Sequence, residues 1–192
     1  MAQLARNLAE DHANMAKVLD VLELQLEPLK AGQAPDMEIV RGVLDYCLGY
    51  PVLCHHPRED LMFRKLRAVA GADVVDAVGD LLMEHEELAQ LTRDLSAAAD
   101  NILSVPDQPP DRFIDQAYRF LERYRRHMEK EDADLLPAAL ETLTPEDWEA
   151  LDRIASGQPD PLSGQTFDKR FAKLRAEILD PRNATSVTFV EA

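Results

Sequence analysis

Five histidines occur in the 192 residues: His12, His55, His56, His85 and His127. His55 stands four positions before Glu59, and His127 four before Glu131. On a helix such positions share a face, one turn apart. Both pairs interrupt apolar runs of helical spacing, so each sets an imidazole and a carboxylate into a hydrophobic seam. His12 and His85 hold the same kind of position in two further segments. Taken singly, a histidine on an apolar face is usually a hydrogen-bonded core residue. Here every histidine lies at or beside a core position, with two carboxylates in register. A bare carboxylate is costly to bury, so buried ones are paired or bind metal. Imidazole with carboxylate suits iron, with manganese and zinc behind it. A bundle interior that collects one imidazole per helix and two carboxylates fits a dinuclear metal site.

The elements that must position these residues are helices. Residues 3–30 form the first, with Leu4, Leu8, His12, Met15, Leu19, Leu22 and Leu26 on one stripe. Pro28 is expected to end it a turn early. Asp36 caps the second, residues 37–70, whose stripe reads Leu48, Val52, His55, Glu59, Met62, Leu66 and Val69. Pro51 and Pro57 interrupt its hydrogen bonding and predict a kink near the histidines. The third, residues 73–103, carries Val78, Leu81, His85, Leu88, Leu91 and Leu95. The fourth, residues 111–141, carries Phe113, Ala117, Phe120, Tyr124, His127, Glu131 and Leu135. Strand signal is almost absent. The expected fold is all-α, an up-down-up-down four-helix bundle with one or two short extra C-terminal helices. Thr144 before Pro145 starts a short helix over about 145–156. A last helix over about 165–179 carries Phe167, Phe171, Leu174 and Ile178, and 180–192 form a tail. Residues 1–155 are expected to be the bundle domain. Residues 156–192 are expected to pack on its end or to form a subunit contact, as in a homodimer.

Lys and Arg number 21 against 36 Asp and Glu, a net charge of −15. That balance argues against nucleic acid and anionic membrane as partners, since both need basic patches. No apolar run is long enough to span a bilayer. The opening Met-Ala-Gln-Leu-Ala-Arg-Asn reads as an amphipathic helix start without a secretion signal's apolar core, so the expected location is the cytoplasm. Cys47 and Cys54 lie seven apart on one predicted helix, roughly 10 Å, too far for a mutual disulfide. They read as buried reduced thiols. The acidic runs, Glu84 with Glu86 and Glu87 and Glu129 with Asp132, read as solvated faces. Tyr124 reads as core packing.

His12, the run His55-His56-Pro57-Arg58-Glu59-Asp60, Glu84-His85 and His127-Met128-Glu129-Lys130-Glu131 together resemble the bacterial hemerythrin-like (HHE cation-binding) domains. The resemblance covers about residues 1–155. It implies two non-haem irons in the bundle, bridged by two carboxylates and an oxo or hydroxo group. It implies Glu59 and Glu131 as the bridges, His12 and His55 on one iron, and His85 and His127 on the other. Two positions depart from the oxygen-carrying hemerythrins. Those proteins have a second histidine one turn after the third-helix histidine, where this chain has Ala89. Their fourth-helix spacing is His-x4-Asp, against His127-x3-Glu131 here. His56 is a candidate for the missing imidazole. At about 100° per residue it lies on the flank of the seam, tilted toward the first or third helix. Five imidazoles would then divide three and two. The alternative places His56 outward, bonded to a neighbouring helix or water.

The expected function is a non-enzymatic diiron protein that binds or senses oxygen, nitric oxide or iron. Its partner would be a small diatomic ligand or peroxide. The alternative is a diiron enzyme that decomposes peroxide or handles nitric oxide. Binding is favoured because no further acid or base stands at a core position. Ferritin-like oxidase chemistry uses Glu-x-x-His spacing. The residues three before the histidines are Ala9, Val52, Leu53, Leu82 and Tyr124, none of them a carboxylate.

Overall fold

A computed structural model describes residues 2–104, 110–155, 162 and 169–180. Every regular element among them is helical. Helix α1 spans Gln3–Lys30 and its apolar stripe is buried from Leu4 to Leu26 as expected. Pro28 does not shorten it. Proline forfeits one hydrogen bond, and the turn that follows compensates at the C-terminus. Gly32 N–H returns to Leu29 O at 3.0 Å and Gln33 N–H to Pro28 O at 2.8 Å, with Gly32 at φ +70°. This is a Schellman closure, which needs the left-handed residue that glycine supplies.

Helix α2, Met37–Tyr50, begins at the Asp36 cap, whose side chain accepts from Glu38 N and Ile39 N. A π turn over Pro51–His55 joins it to α3, His56–Val69. The expected kink therefore takes a definite form. Pro57 cannot donate to Leu53 O, and His56 N–H reaches back five residues to Pro51 O. The extra residue in this turn shifts the buried face. Ahead of it Tyr46, Cys47 and Tyr50 are buried, whereas Leu48 and Val52 of the expected stripe are only half-buried. Val69, the expected last member, is 47% exposed.

The third expected helix is two. Helix α4 spans Ala72–Val78 and α5 spans Leu81–Ser104. Gly79 separates them at φ +75°, ψ −154°, a conformation open to glycine. A Cβ there would meet Lys130 Nζ at 2.9 Å. The fourth expected helix is also divided: α6, Asp111–Lys130, a second π turn over Glu131–Leu135, and α7, Leu136–Thr142. Pro137 stands where Pro57 stands in the first π turn, two residues past its end, and Leu136 N–H reaches Glu131 O. Helix α8, Pro145–Ile154, has the expected start, with Thr144 and Asp147 forming a capping box. A 3-10 turn over Lys169–Phe171 leads into α9, Ala172–Leu179, so the described part of the last expected helix starts later. Phe167, with 165–168 and 181–192, lies outside the described residues.

α1 packs on α2 and α6, and α5 packs on α2 and α6. That is the neighbour pattern of a four-helix bundle. The core is two apolar clusters. One joins the second half of α1 to α2, α5, α6 and α9, with Phe171 edge-on to Tyr46 and Leu174 over Gly42. The other joins the start of α1 to α3, α4, α7 and α8, and takes in Trp148 and Leu151. Asp152 of α8 also accepts from Gln3 N and Leu4 N, which caps the otherwise unpaired N-terminus of α1. Among the described residues no helix is long and apolar enough to cross a membrane. Cys47 and Cys54 are free, the first buried and the second half-buried.

Candidate metal centre

Between the two apolar clusters lies a polar layer. In α1, His12 falls between Leu8 and Met15; in α5, His85 falls between Leu81 and Leu88. His55, His56 and Glu59 lie between Tyr50 and Met62, and His127 and Glu131 between Tyr124 and Leu135. All seven sequence-predicted residues are buried, Glu59 and Glu131 completely. Ligand atoms of His12, His55, Glu59 and Glu131 lie within 4.8 Å of one another, and so do those of Glu59, His85, His127 and Glu131. His56 forms such a group with His85 and His127. It faces inward, toward the third and fourth helices. Its ring stacks flat on His85, with centroids 4.1 Å apart, and meets His127 edge-on. The two π turns make this possible. The first lets adjacent residues, His55 and His56, both face the axis; the second begins at Glu131 itself.

The two glutamates reach both groups of imidazoles. Glu59 Oε1 is 3.3 Å from His12 Nε2, and its Oε2 is 3.2 Å from His55 Nε2 and 3.5 Å from His85 Nε2. Glu131 Oε2 is 3.4 Å from His12 Nε2, and its Oε1 is 3.2 Å from His85 Nε2 and 3.0 Å from His127 Nε2. The last contact is close but is not a hydrogen bond; His127 Nε2 is left without a partner, while Glu131 Oε1 pairs with His85 Nε2.

Four imidazoles are held from behind. His12 Nδ1 is 2.8 Å from Asp132, His55 Nδ1 3.1 Å from Asp11, His85 Nδ1 2.9 Å from Asp60 and His127 Nδ1 3.1 Å from Glu84. A proton on Nδ1, shared with a carboxylate, leaves the Nε2 lone pair facing the centre. His12 Nε2 and His55 Nε2 then face each other at 3.1 Å. Two facing lone pairs repel unless a cation or proton lies between them. Both oxygens of Glu59, Oε2 of Glu131 and Nε2 of His127 are buried without hydrogen-bond partners. Buried polar atoms are nearly always paired. The donor set therefore fits metal cations.

The family model of the hemerythrin HHE cation-binding domain matches residues 3–139. The chain belongs to this family. No curated protein and no solved structure matches it. As a hemerythrin HHE domain the protein binds cations, and its buried His/Glu clusters are where the fold supplies the donors.

Without a cation, protons take the positive charge in this hemerythrin core. Burial works against a proton on His12, but Asp132, Glu131 and Glu59 outweigh it and raise the pKa well above the usual value. Burial is likewise outweighed at His55 by Glu59 and Asp11, and at His127 by Glu131 and Glu84. At His85 burial is overcome by Asp60, Glu131 and Glu59, and the pKa rises to about 11. His56 moves the other way, because burial and then the charges of His85 and His55 hold it well below its usual value. Burial favours neutral Glu59 and Glu131, yet the surrounding imidazoles depress both.

A raised histidine adds stability that is complete below its unfolded pKa of 6.5 and is lost as pH climbs toward the folded value. The depressed glutamates add stability above their unfolded pKa of 4.5, lost as pH falls through the folded value. His56, held low, loses stability as pH falls below 6.5, so the metal-free protein should be most stable near pH 6.5. Cations need deprotonated imidazoles, so their stabilisation grows with pH. From pH 6 to 9 the melting temperature of metal-free protein should fall, while that of metal-loaded protein should hold or rise. Parallel curves would contradict this protonation scheme.

Asp11, Asp60, Glu84 and Asp132 were not among the sequence-predicted site residues. Glu84 and Asp132 read as solvated faces, but Glu84 holds His127 and Asp132 holds His12. His127 and then Lys130 draw Glu84 down to about 2. A signal existed in the chain: each acid is the immediate neighbour of an inward residue, as Asp11-His12, Glu59-Asp60, Glu84-His85 and Glu131-Asp132. The expectation that no further acid or base stands at a core position also needs correcting. Asp11 and Arg58 are 6% and 7% exposed, and Tyr50 hydroxyl lies 3.0 Å from Asp11 and 3.1 Å from Arg58 Nη1.

Proposed function

We propose that the protein is a two-iron hemerythrin that binds or senses a small diatomic ligand, oxygen or nitric oxide. In this reading His12 and His55 hold one iron, His56, His85 and His127 hold the other, and Glu59 and Glu131 bridge them. The supporting observation is the pair of glutamates, each placing oxygens against imidazoles of both groups. Two irons there would supply a reversible redox change and a coordination position for a diatomic. The three-against-two division of imidazoles puts fewer protein ligands on the His12–His55 side, so that side has more room for a ligand.

The protein's own residues favour binding over catalysis. Asp11, Asp60, Glu84 and Asp132 all bond Nδ1, the ring atom facing away from the centre. Tyr50 and Arg58 sit behind Asp11 in turn. None of these groups lies where it would deliver a proton to a molecule between the glutamates, as general acid catalysis requires. The layer is closed on both sides by apolar clusters, which keep bulk water from the site.

Absorption spectra of iron-loaded protein under nitrogen, air, nitric oxide and peroxide test the function. Reversible spectral change with oxygen or nitric oxide, without turnover, is expected. Sustained consumption of peroxide or nitric oxide over many turnovers would instead establish the enzymatic reading.

A further inference from the structure

The carboxylates behind the imidazoles follow a rule around the bundle. Each is carried beside an inward residue of its own helix and bonds the histidine of the next. Asp11 on α1 bonds His55, at the end of the π turn before α3. Asp60 on α3 bonds His85 on α5. Glu84 on α5 bonds His127 on α6. Asp132, in the π turn after α6, bonds His12 on α1 and closes the circuit. Each link joins neighbouring helical segments of the bundle, so the ring spans all four of its long segments.

The ring divides between the two groups of ligand atoms. Asp132 and Asp11 serve His12 and His55, both imidazoles of one group. Asp60 and Glu84 serve His85 and His127 of the other. Some of the acids are held in turn. Tyr50 donates to Asp11, and Lys130 Nζ lies 2.6 Å from Glu84. Gly79 keeps a Cβ out of the space that Lys130 Nζ occupies. Among the described residues no carboxylate bonds His56, which is oriented by stacking on His85.

We propose that Asp11, Asp60, Glu84 and Asp132 are positioning residues of the metal centre, two to each metal, each fixing a histidine that the neighbouring helix carries. This rests on the two-metal reading above. Groups that bond a metal-ligating histidine from behind fix its tautomer and ring plane, and their loss commonly weakens metal binding about 10–100-fold.

The test uses the full chain loaded with ferrous iron alone. Asp132→Ala and Asp60→Ala are the informative variants, because these side chains are 51% and 25% exposed and their truncation leaves no closed cavity. Iron content is measured during challenge with a chelator, and the Mössbauer spectrum records the iron that remains. His12→Ala and His85→Ala serve as references for damage to one metal or the other. Asp132→Ala should release one iron about 10–100-fold faster and leave the residual spectrum of His12→Ala. Asp60→Ala should do the same and leave the residual spectrum of His85→Ala. Asp132→Asn and Asp60→Asn keep an acceptor oxygen and should restore much of the retention. A role in folding alone would lower the melting temperature of metal-free protein without selecting a metal. Wild-type protein with two irons, and variants that keep both or lose both together, would overturn the ring and leave the two-iron reading standing. Wild-type protein that takes up no iron would overturn both.

Discussion

Glu59→Ala or Glu131→Ala should empty the centre of both metals. Each glutamate belongs to both clusters of ligand atoms that share a carboxylate. Both side chains are at most 1% exposed, so neither carboxylate is supplemented by bulk solvent. Removing Glu131 takes one carboxylate oxygen from the His12 side and one from the His85–His127 side at once. It also removes one of only two negative charges inside a shell of five imidazoles. The remaining carboxylate would face two cations alone, and their mutual repulsion would no longer be offset. Iron content should fall from about two per chain to near zero, and the melting temperature should fall to that of metal-free protein. An ion that binds only the folded state stabilises it by about 2.7 kcal/mol when present at 100 times its Kd. The loss should therefore be visible in any thermal scan with iron present. A variant that kept one iron firmly would show that the removed carboxylate serves a single metal.

The second large effect separates His55 from His56. His55→Ala should abolish the metal on its side, since His12 would be the only imidazole left there with the two bridges. His56→Ala should act on the other metal and less severely. His85 and His127 remain, both held by carboxylates, whereas His56 is oriented by ring stacking. That iron should bind at least about tenfold more weakly, since losing a ligand should cost no less than losing a group that holds one, about 10–100-fold. The absorption of the oxidised centre should shift, because a coordination position has opened. Unchanged iron content with an unchanged spectrum in His56→Ala would remove His56 from the site.

The inward-facing residues were readable because period and chemistry agreed. On α6 and the π turn after it, every member of the expected stripe, from Phe113 through His127 and Glu131 to Leu135, is buried. On α1 the same holds from Leu4 to Leu26. Around His55 the period misled. A π turn adds a residue that no 3.6-residue stripe contains, so Leu48 and Val52 were placed on a face that Cys47 and Tyr50 occupy. Pro57 announced a disturbance there; Pro137 lacks the same N–H beside the second π turn, but the fourth helix was expected to run unbroken past it. The break at Gly79 was hidden because Val78 and Leu81 keep helical spacing across it. The carboxylates behind the histidines lie about 100° off the inward stripe of their own helices. On a single helix that is a solvated flank. It becomes an interior contact only where the next helix packs, a fact of tertiary structure that one helix's pattern does not hold.

Anomalous diffraction at the iron edge, on crystals of protein produced with iron supplied, tests the two-metal centre most directly. The expected result is two iron peaks between Glu59 and Glu131, roughly 3.5 Å apart as in other carboxylate-bridged pairs. His12 and His55 should contact one peak, and His56, His85 and His127 the other. A single peak, or a pair that leaves either glutamate without a metal contact, would contradict the account.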